Sequence, residues 1–201
     1  MVKIEKLVLG NLHTNVYLLV YDSGILVVDP AAEPNKIFAA AEEIGKPITH
    51  VLLTHGHFDH CNAAASLQKQ GAKVLMSKTD YDMIQNGFDL AKFAGYNFNA
   101  FIPDEFVGEG EYEIAGQNVK ILKTPGHTAG SVTYVFGNDV FCGDTLFFMG
   151  VGRIDLPTGD GRQLCESVKK LFALNGGTVY PGHGRSTSIE FEKENNPYVK
   201  A

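Results

Sequence analysis

Thr54-His55-Gly56-His57-Phe58-Asp59-His60 is the stretch on which the reading of this chain turns. Three imidazoles and one carboxylate fall within the six residues from His55 to His60. Imidazole and carboxylate are the ligands expected of zinc, iron or manganese sites. The run just before, Val51-Leu52-Leu53, is short and apolar, and Thr49–Leu53 reads as a buried strand. The cluster therefore starts where a strand ends. His55 and His57 can converge on one side of such a loop, while Asp59 and His60 turn toward a neighbouring position as the chain enters a helix over residues 62–70. A lone histidine is ordinarily a surface or core residue. Four potential ligands in six positions, in a chain with only 7 histidines, are not explained that way.

Three further residues share this placement. His127 lies in Thr124-Pro125-Gly126-His127-Thr128, after a strand ending at Lys123. Asp144 lies in Cys142-Gly143-Asp144-Thr145 and His183 in Tyr180-Pro181-Gly182-His183-Gly184, each again after a strand. A glycine-containing turn at a strand end presents a side chain on the edge of a sheet, where α/β sites are built. His13 and His50 lack this context and read as structural or surface residues. Seven ligands suit two divalent ions better than one. Ions ~3.5–4 Å apart share a hydroxide and clamp the reacting oxygens.

Around these residues the pattern is mixed. Strands are expected at 3–9, 16–20, 25–28, 74–76, 112–114, 119–123, 132–136, 140–142 and 178–180, the last being the final strand. Helices are expected at 33–44, 78–86, 162–174 and 188–196, with Gly45 ending the first and Ser77 or Thr79 capping the second. Turns are expected at Asp22-Ser23-Gly24, Gly116-Gln117-Asn118 and Gly137-Asn138-Asp139. Residues 87–105 are irregular and rich in aromatics (Phe88, Phe93, Tyr96, Phe98, Phe101), which read first as anchors of a loop and second as a substrate wall. The two halves look alike and no linker separates them. The expectation is one α/β domain over residues 1–201, with two mixed sheets packed face to face and helices outside.

Composition limits the partners. The chain has 201 residues, 44% hydrophobic and 20% charged, with a net charge of -6. It has no basic cluster of the kind that neutralises phosphates, so nucleic acid is not expected. No apolar run is long enough to span a bilayer, and Met1–Lys6 does not begin a signal peptide. Cys61, Cys142 and Cys165 form neither a disulfide framework nor a zinc motif. The expectation is a cytoplasmic protein acting on a small molecule.

The order His55-x-His57-x-Asp59-His60, then His127, Asp144 and His183, resembles the metallo-β-lactamase superfamily. That resemblance implies an αββα sandwich. It implies that His55, His57 and His127 hold a first metal, that Asp59, His60 and His183 hold a second, and that Asp144 bridges them. Zinc is the expected metal, with iron or manganese as alternatives. Thr54, Thr124-Pro125-Gly126-His127-Thr128, Gly143-Asp144-Thr145-Leu146-Phe147 and Gly150-Val151-Gly152-Arg153 are similar to the glyoxalase II branch. Gly152-Arg153-Ile154-Asp155-Leu156-Pro157-Thr158-Gly159-Asp160 is similar to its short bacterial forms.

The implied reaction is thioester hydrolysis, for example of S-lactoylglutathione, by a hydroxide between the ions, with Asp59 orienting it. Arg153 and Arg185 are the substrate-carboxylate candidates through paired hydrogen bonds, with surface ion pairs as the alternative. The sequence departs from the branch where it has Gly184-Arg185 in place of a tyrosine and Asp155 in place of an aromatic. Eighteen residues follow His183, so the branch's helical glutathione-binding domain is not expected. Rival readings are an iron-dependent persulfide dioxygenase, a lactone or β-lactam hydrolase, and a non-enzymatic metal-binding module. A flavodiiron-type reductase is disfavoured, because position 57 is His where that family resembles His-x-Glu-x-Asp.

Overall fold

The first strands form hairpins because a turn signal separates two apolar runs. In a computed structural model describing residues 3–198, β1 (Lys3–Leu9), β2 (Thr14–Tyr21) and β3 (Gly24–Val28) run antiparallel, with Asp22 and Ser23 turning between the second and third. β3 is buried at every position, as befits a strand inside a sheet covered on both faces. The next strands continue in parallel: β4 (Ile48–Leu52) beside β3, β5 (Lys73–Ser77) beside β4, and β6 (Glu105–Val107) beside β5. Parallel neighbours need crossovers, and helices supply them. α1 (Pro34–Ile44) carries Pro in its first turn and ends at Gly45, whose φ of 75° lets its N–H reach the carbonyls of Ala41 and Glu42.

The helix expected at 62–70 is two short helices, α2 (Phe58–Cys61) and α3 (Ala64–Lys69). It starts inside the histidine motif because His57 is extended, at φ −73° and ψ 143°, and caps α2. It breaks afterwards because the Ala63 N–H donates to the Pro30 carbonyl at 2.9 Å. α4 (Lys78–Gln85) begins as expected, with Ser77 Oγ accepting from the Asp80 N–H. β6 escaped notice in the sequence: it has three residues, two of them exposed. In the irregular stretch before it, Phe101 is buried and Phe98 packs on the same core. Phe88, Phe93 and Tyr96 are exposed, so the anchoring role holds for its C-terminal end. These elements form one compact unit, which ends at Val107.

The second unit starts at Gly108. β7 (Gly110–Ile114), β8 (Gln117–Lys123), β9 (Val132–Phe136) and β10 (Asp139–Gly143) form an antiparallel meander. The first hairpin turns at Ala115-Gly116, with φ of 52° and 76°, one residue earlier than expected. Positive φ at both positions matches the twist of the flanking strands. A small ribbon, β11 (Leu146–Phe147) with β12 (Gly150–Val151), follows; two-residue strands leave no periodic signal.

α5 (Gly161–Phe172) is capped by Asp160 and buries Leu164, Val168 and Leu171 at helical spacing. β13 (Thr178–Pro181) returns parallel to β10, and β14 (Thr187–Ser188) closes the edge, so β13 is not the last strand. α6 (Ile189–Asn195) starts at Ser188, whose hydroxyl accepts from the Phe191 N–H. It buries Glu192, which accepts from Met149 N–H at 3.0 Å, Thr187 Oγ1 at 2.6 Å and Asn196 Nδ2 at 2.8 Å. A buried carboxylate with three donors is satisfied, and it ties α6 to the β11–β12 ribbon. No helix among the described residues is long and apolar enough to cross a membrane.

Candidate functional site

The first unit gathers its candidates at the ends of two parallel strands. β3 ends at Val28 and β4 at Leu52, and these are register partners. The residues just beyond, Asp29 and Thr54, therefore lie side by side. Asp29 takes φ 50° and is buried. Its Oδ1 accepts the Thr54 N–H at 2.8 Å, and its Oδ2 accepts Thr54 Oγ1 at 2.7 Å and His60 Nδ1 at 2.9 Å.

This network fixes protons. A carboxylate only accepts, so His60 carries its hydrogen on Nδ1 and its lone pair on Nε2. Thr54 has donated its hydroxyl proton to Asp29. It can therefore only accept from His55 Nδ1, 3.1 Å away, so His55 also keeps its lone pair on Nε2. That is the tautomer by which metal-binding histidines are held through an outer carboxylate or carbonyl.

His57, His55 and His60 are all buried. The His55 ring centroid lies 4.8 Å from that of His57 and 4.1 Å from that of His60. Asp59 Oδ2 lies 3.5 Å from His60 Nε2 and accepts Thr14 Oγ1 at 3.2 Å, which orients the carboxylate. Asp29, His55 and His60 offer ligand atoms within 4.8 Å of one another. The oxygens of Asp29 are occupied by three donors, so Asp29 orients ligands rather than binding metal. A second carboxylate, the fully buried Asp80, accepts the Gly56 N–H at 2.9 Å and holds the loop between the first two histidines.

In the second unit, parallel pairing again sets neighbours together. Gly143 and Pro181 are register partners at the ends of β10 and β13, and the Gly182 N–H donates to the Gly143 carbonyl at 2.8 Å. Asp144 and His183 follow, with His183 Nε2 3.6 Å from Asp144 Oδ2. His127 Nε2 is 3.6 Å from the same oxygen. His127 Nδ1 lies 2.8 Å from the Arg153 carbonyl. A carbonyl only accepts, so this imidazole too is protonated on Nδ1 and presents Nε2.

Two glycines permit this packing. At Gly126, φ 134°, a Cβ would sit 2.2 Å from the Leu164 nitrogen, so His127 hangs on a turn pressed against the start of α5. At Gly152 a Cβ would lie 1.8 Å from the Asp144 carbonyl oxygen and 3.2 Å from His127 Cβ.

The substrate-contact candidates have partners. Arg153 makes a two-pronged ion pair with Asp155: Nε to Oδ1 at 2.7 Å and Nη2 to Oδ2 at 2.7 Å. That pairing holds the Asp155 carboxyl down to about 2. The Arg185 guanidinium lies 3.4 Å from the centroid of the Phe148 ring, a cation–π stack. Cys61 and Cys142 are buried, and burial pushes the Cys61 thiol up, consistent with packed, unreactive sulfur.

Asp29 and Asp80 are the residues the sequence reading passed over. The signal for Asp29 is its place directly after the strand at 25–28, next to Pro30, which ends that strand. Asp80 sits inside a helix, 24 residues from its partner, and no local pattern marks it.

The chain belongs to the metallo-β-lactamase superfamily, whose profile matches residues 9–183. Hydroxyacylglutathione hydrolase GloC of Haemophilus influenzae is 35% identical over 184 residues, covering 87% of each chain. Among solved structures, BLEG-1 B3 metallo-β-lactamase superposes with a TM-score of 0.93 at 27% identity, over 99% of this chain and 100% of that one. A di-iron-bound form of TTHA1623 superposes with a TM-score of 0.89 at 34% identity, over 96% and 99%. Two mixed sheets with helices, the α/β sandwich of this family, is thus the fold that the sequence led one to expect.

Proposed function

We propose that this protein is a thioester hydrolase that works with two divalent metal ions. In this proposal His55, His57 and His127 hold one ion, Asp59, His60 and His183 the other, and Asp144 bridges. One observation carries the metal assignment: His55, His60 and His127 each have Nδ1 tied to an acceptor, leaving Nε2 as the ligand atom. The donor set, imidazole and carboxylate, fits zinc, with iron and manganese as alternatives. The thioester assignment rests on similarity to the hydroxyacylglutathione hydrolase. We extend it to residues 1–201 acting as one domain, and to a cytoplasmic location, for which three free thiols speak.

Bound divalent ions supply hydroxide near neutral pH and polarise a carbonyl. The protein's own groups prepare that chemistry. Asp29, Thr54 and the Arg153 carbonyl hold the imidazole protons away from the ligand side. Thr14 orients Asp59, which in turn aims the attacking water. The leaving thiolate needs little proton donation, because free thiols have pKa values near 8.5.

Purified, metal-replete protein should hydrolyse S-D-lactoylglutathione or another acyl thioester, and chelation should abolish this. Inertness toward a thioester panel would sink the proposal. Oxygen consumption with glutathione persulfide by iron-loaded protein would instead select the dioxygenase reading. His127→Ala should lose metal and activity together; unchanged metal content in that variant would refute the ligand set.

A further inference from the structure

A groove of about 470 Å³ lies in the second unit, walled by Val151, Ile154, Leu164, Val168 and Tyr198. Arg153 and Asp155 stand on its rim, and they are its charged side chains. The groove adjoins the candidate ligands through the chain itself. The Arg153 carbonyl holds His127 Nδ1, and Gly152 lies against both Asp144 and His127. The groove is therefore one backbone segment, residues 152–153, away from His127 and Asp144.

The guanidinium of Arg153 is the groove's cation, and the Asp155 carboxylate takes its Nε–Nη2 side with two hydrogen bonds of 2.7 Å. That is the arrangement a substrate carboxylate would need. We propose that Asp155 is a specificity-determining residue: it occupies the Arg153 fork as an internal counter-ion, so that the groove selects thioesters whose thiol part is uncharged over those whose thiol part carries carboxylates. The pair is neutral as a unit, so it offers an incoming anion no net attraction. Three of the five guanidinium N–H donors remain, but an anionic thiol part that reaches them meets a cation already neutralised and stands against the Asp155 carboxylate, which repels it. An uncharged one rests on the apolar walls and leaves the pair in place. Exposed ion pairs are individually weak, so Asp155 biases selection without closing the groove to anions.

The inference rests on the thioesterase proposal for its kinetic arm, and a binding arm stands apart from it. Wild type, Asp155→Asn and the double variant Arg153→Gln/Asp155→Asn are loaded with metal. Each is assayed with S-D-lactoylglutathione and with a lactoyl thioester of N-acetylcysteamine, whose thiol part is uncharged. Wild type should favour the uncharged substrate. Asp155→Asn should raise the ratio of kcat/KM for the anionic to the uncharged substrate about threefold, the scale of an exposed ion pair. The double variant should abolish that gain.

In parallel, glutathione is titrated calorimetrically into metal-free protein at low salt. Asp155→Asn should bind it about threefold more tightly than wild type, and the double variant should not. An unchanged ratio and unchanged glutathione affinity in Asp155→Asn would overturn the inference. So would a gain that survives loss of Arg153. If no variant hydrolyses either thioester while the glutathione shift appears, the thioesterase reading fails and the counter-ion role stands.

Discussion

The two units prepare their candidate ligands by opposite means. In the first, four candidates lie within six residues of sequence, and two buried carboxylates from elsewhere hold them: Asp29 at a strand end and Asp80 in a helix. In the second, three candidates come from three separate strand ends and are held by backbone. A carbonyl orients His127, and two glycines allow the chain to pass within contact distance of Leu164 and Asp144. A dense motif needs outside side chains to orient it. A scattered one needs close main-chain packing to assemble it.

Gly152→Ala should break the second arrangement most severely. Its new methyl would overlap the Asp144 carbonyl oxygen at 1.8 Å, where backbone cannot yield cheaply. We expect a loss of about 3 kcal/mol or more, the upper range for overpacking, seen in urea unfolding. A loss below about 1 kcal/mol would mean that the 150–155 segment adapts, and that its grip on Asp144 is loose.

Asp29→Asn tests the first arrangement. The amide keeps the shape but can present a donor to His60 or Thr54. Weakening a group that orients a ligand typically costs 10–100-fold in metal affinity, measurable by competition with a chelator. Unchanged affinity would show that His60 does not depend on Asp29 for its tautomer.

Helix caps should separate the units no further. Ser77→Ala and Asp160→Ala each remove a side-chain acceptor at a helix start, costing about 1 kcal/mol apiece. Equal losses would leave the contrast between the units with the site residues. A much larger loss for Asp160→Ala would show that the start of α5 also supports Gly126, to whose carbonyl the Asp160 N–H donates at 2.8 Å.

The smallest effect concerns His50 on β4, whose pKa is lowered from 6.5, mainly by burial and then by Lys73. Its neutral form is favoured in the folded state. As pH falls through 6.5 the unfolded chain takes up the proton first, so stability is highest above that pH and declines until the folded histidine also titrates. His50→Gln should therefore lose less melting temperature than wild type between pH 8 and pH 5.5. Parallel curves would remove His50 from the account.

Much of this was legible in the sequence, for identifiable reasons. Strands β1 to β5 and β7 to β10 announce themselves by apolar runs between turn residues. α1, α4, α5 and α6 do so by caps and period. Among the ligand candidates, His55 to His60 stand out by their density, and His127, Asp144 and His183 because each follows a strand through a glycine turn. What escaped was short or non-local. β6, β11, β12 and β14 have two or three residues each, and their pairing is decided by neighbours. The split of the helix after the motif depends on Pro30, 33 residues away from Ala63. Asp80 orients Gly56 from a helix whose own pattern accounts for it fully. The Arg153–Asp155 pair could be named as two residues of interest, but not as partners.

Asp29 imposes a double requirement on a single codon. Its backbone sits at φ 50°, a conformation that chiefly Gly, Asn and Asp adopt without strain. Its side chain must accept from three donors and give nothing back. Gly meets the first demand and fails the second, Glu moves the carboxylate one methylene farther from the backbone, and Asn meets the first while risking the wrong proton. Drift at position 29 is thus constrained twice over, by the turn of the chain and by the direction in which His60 faces.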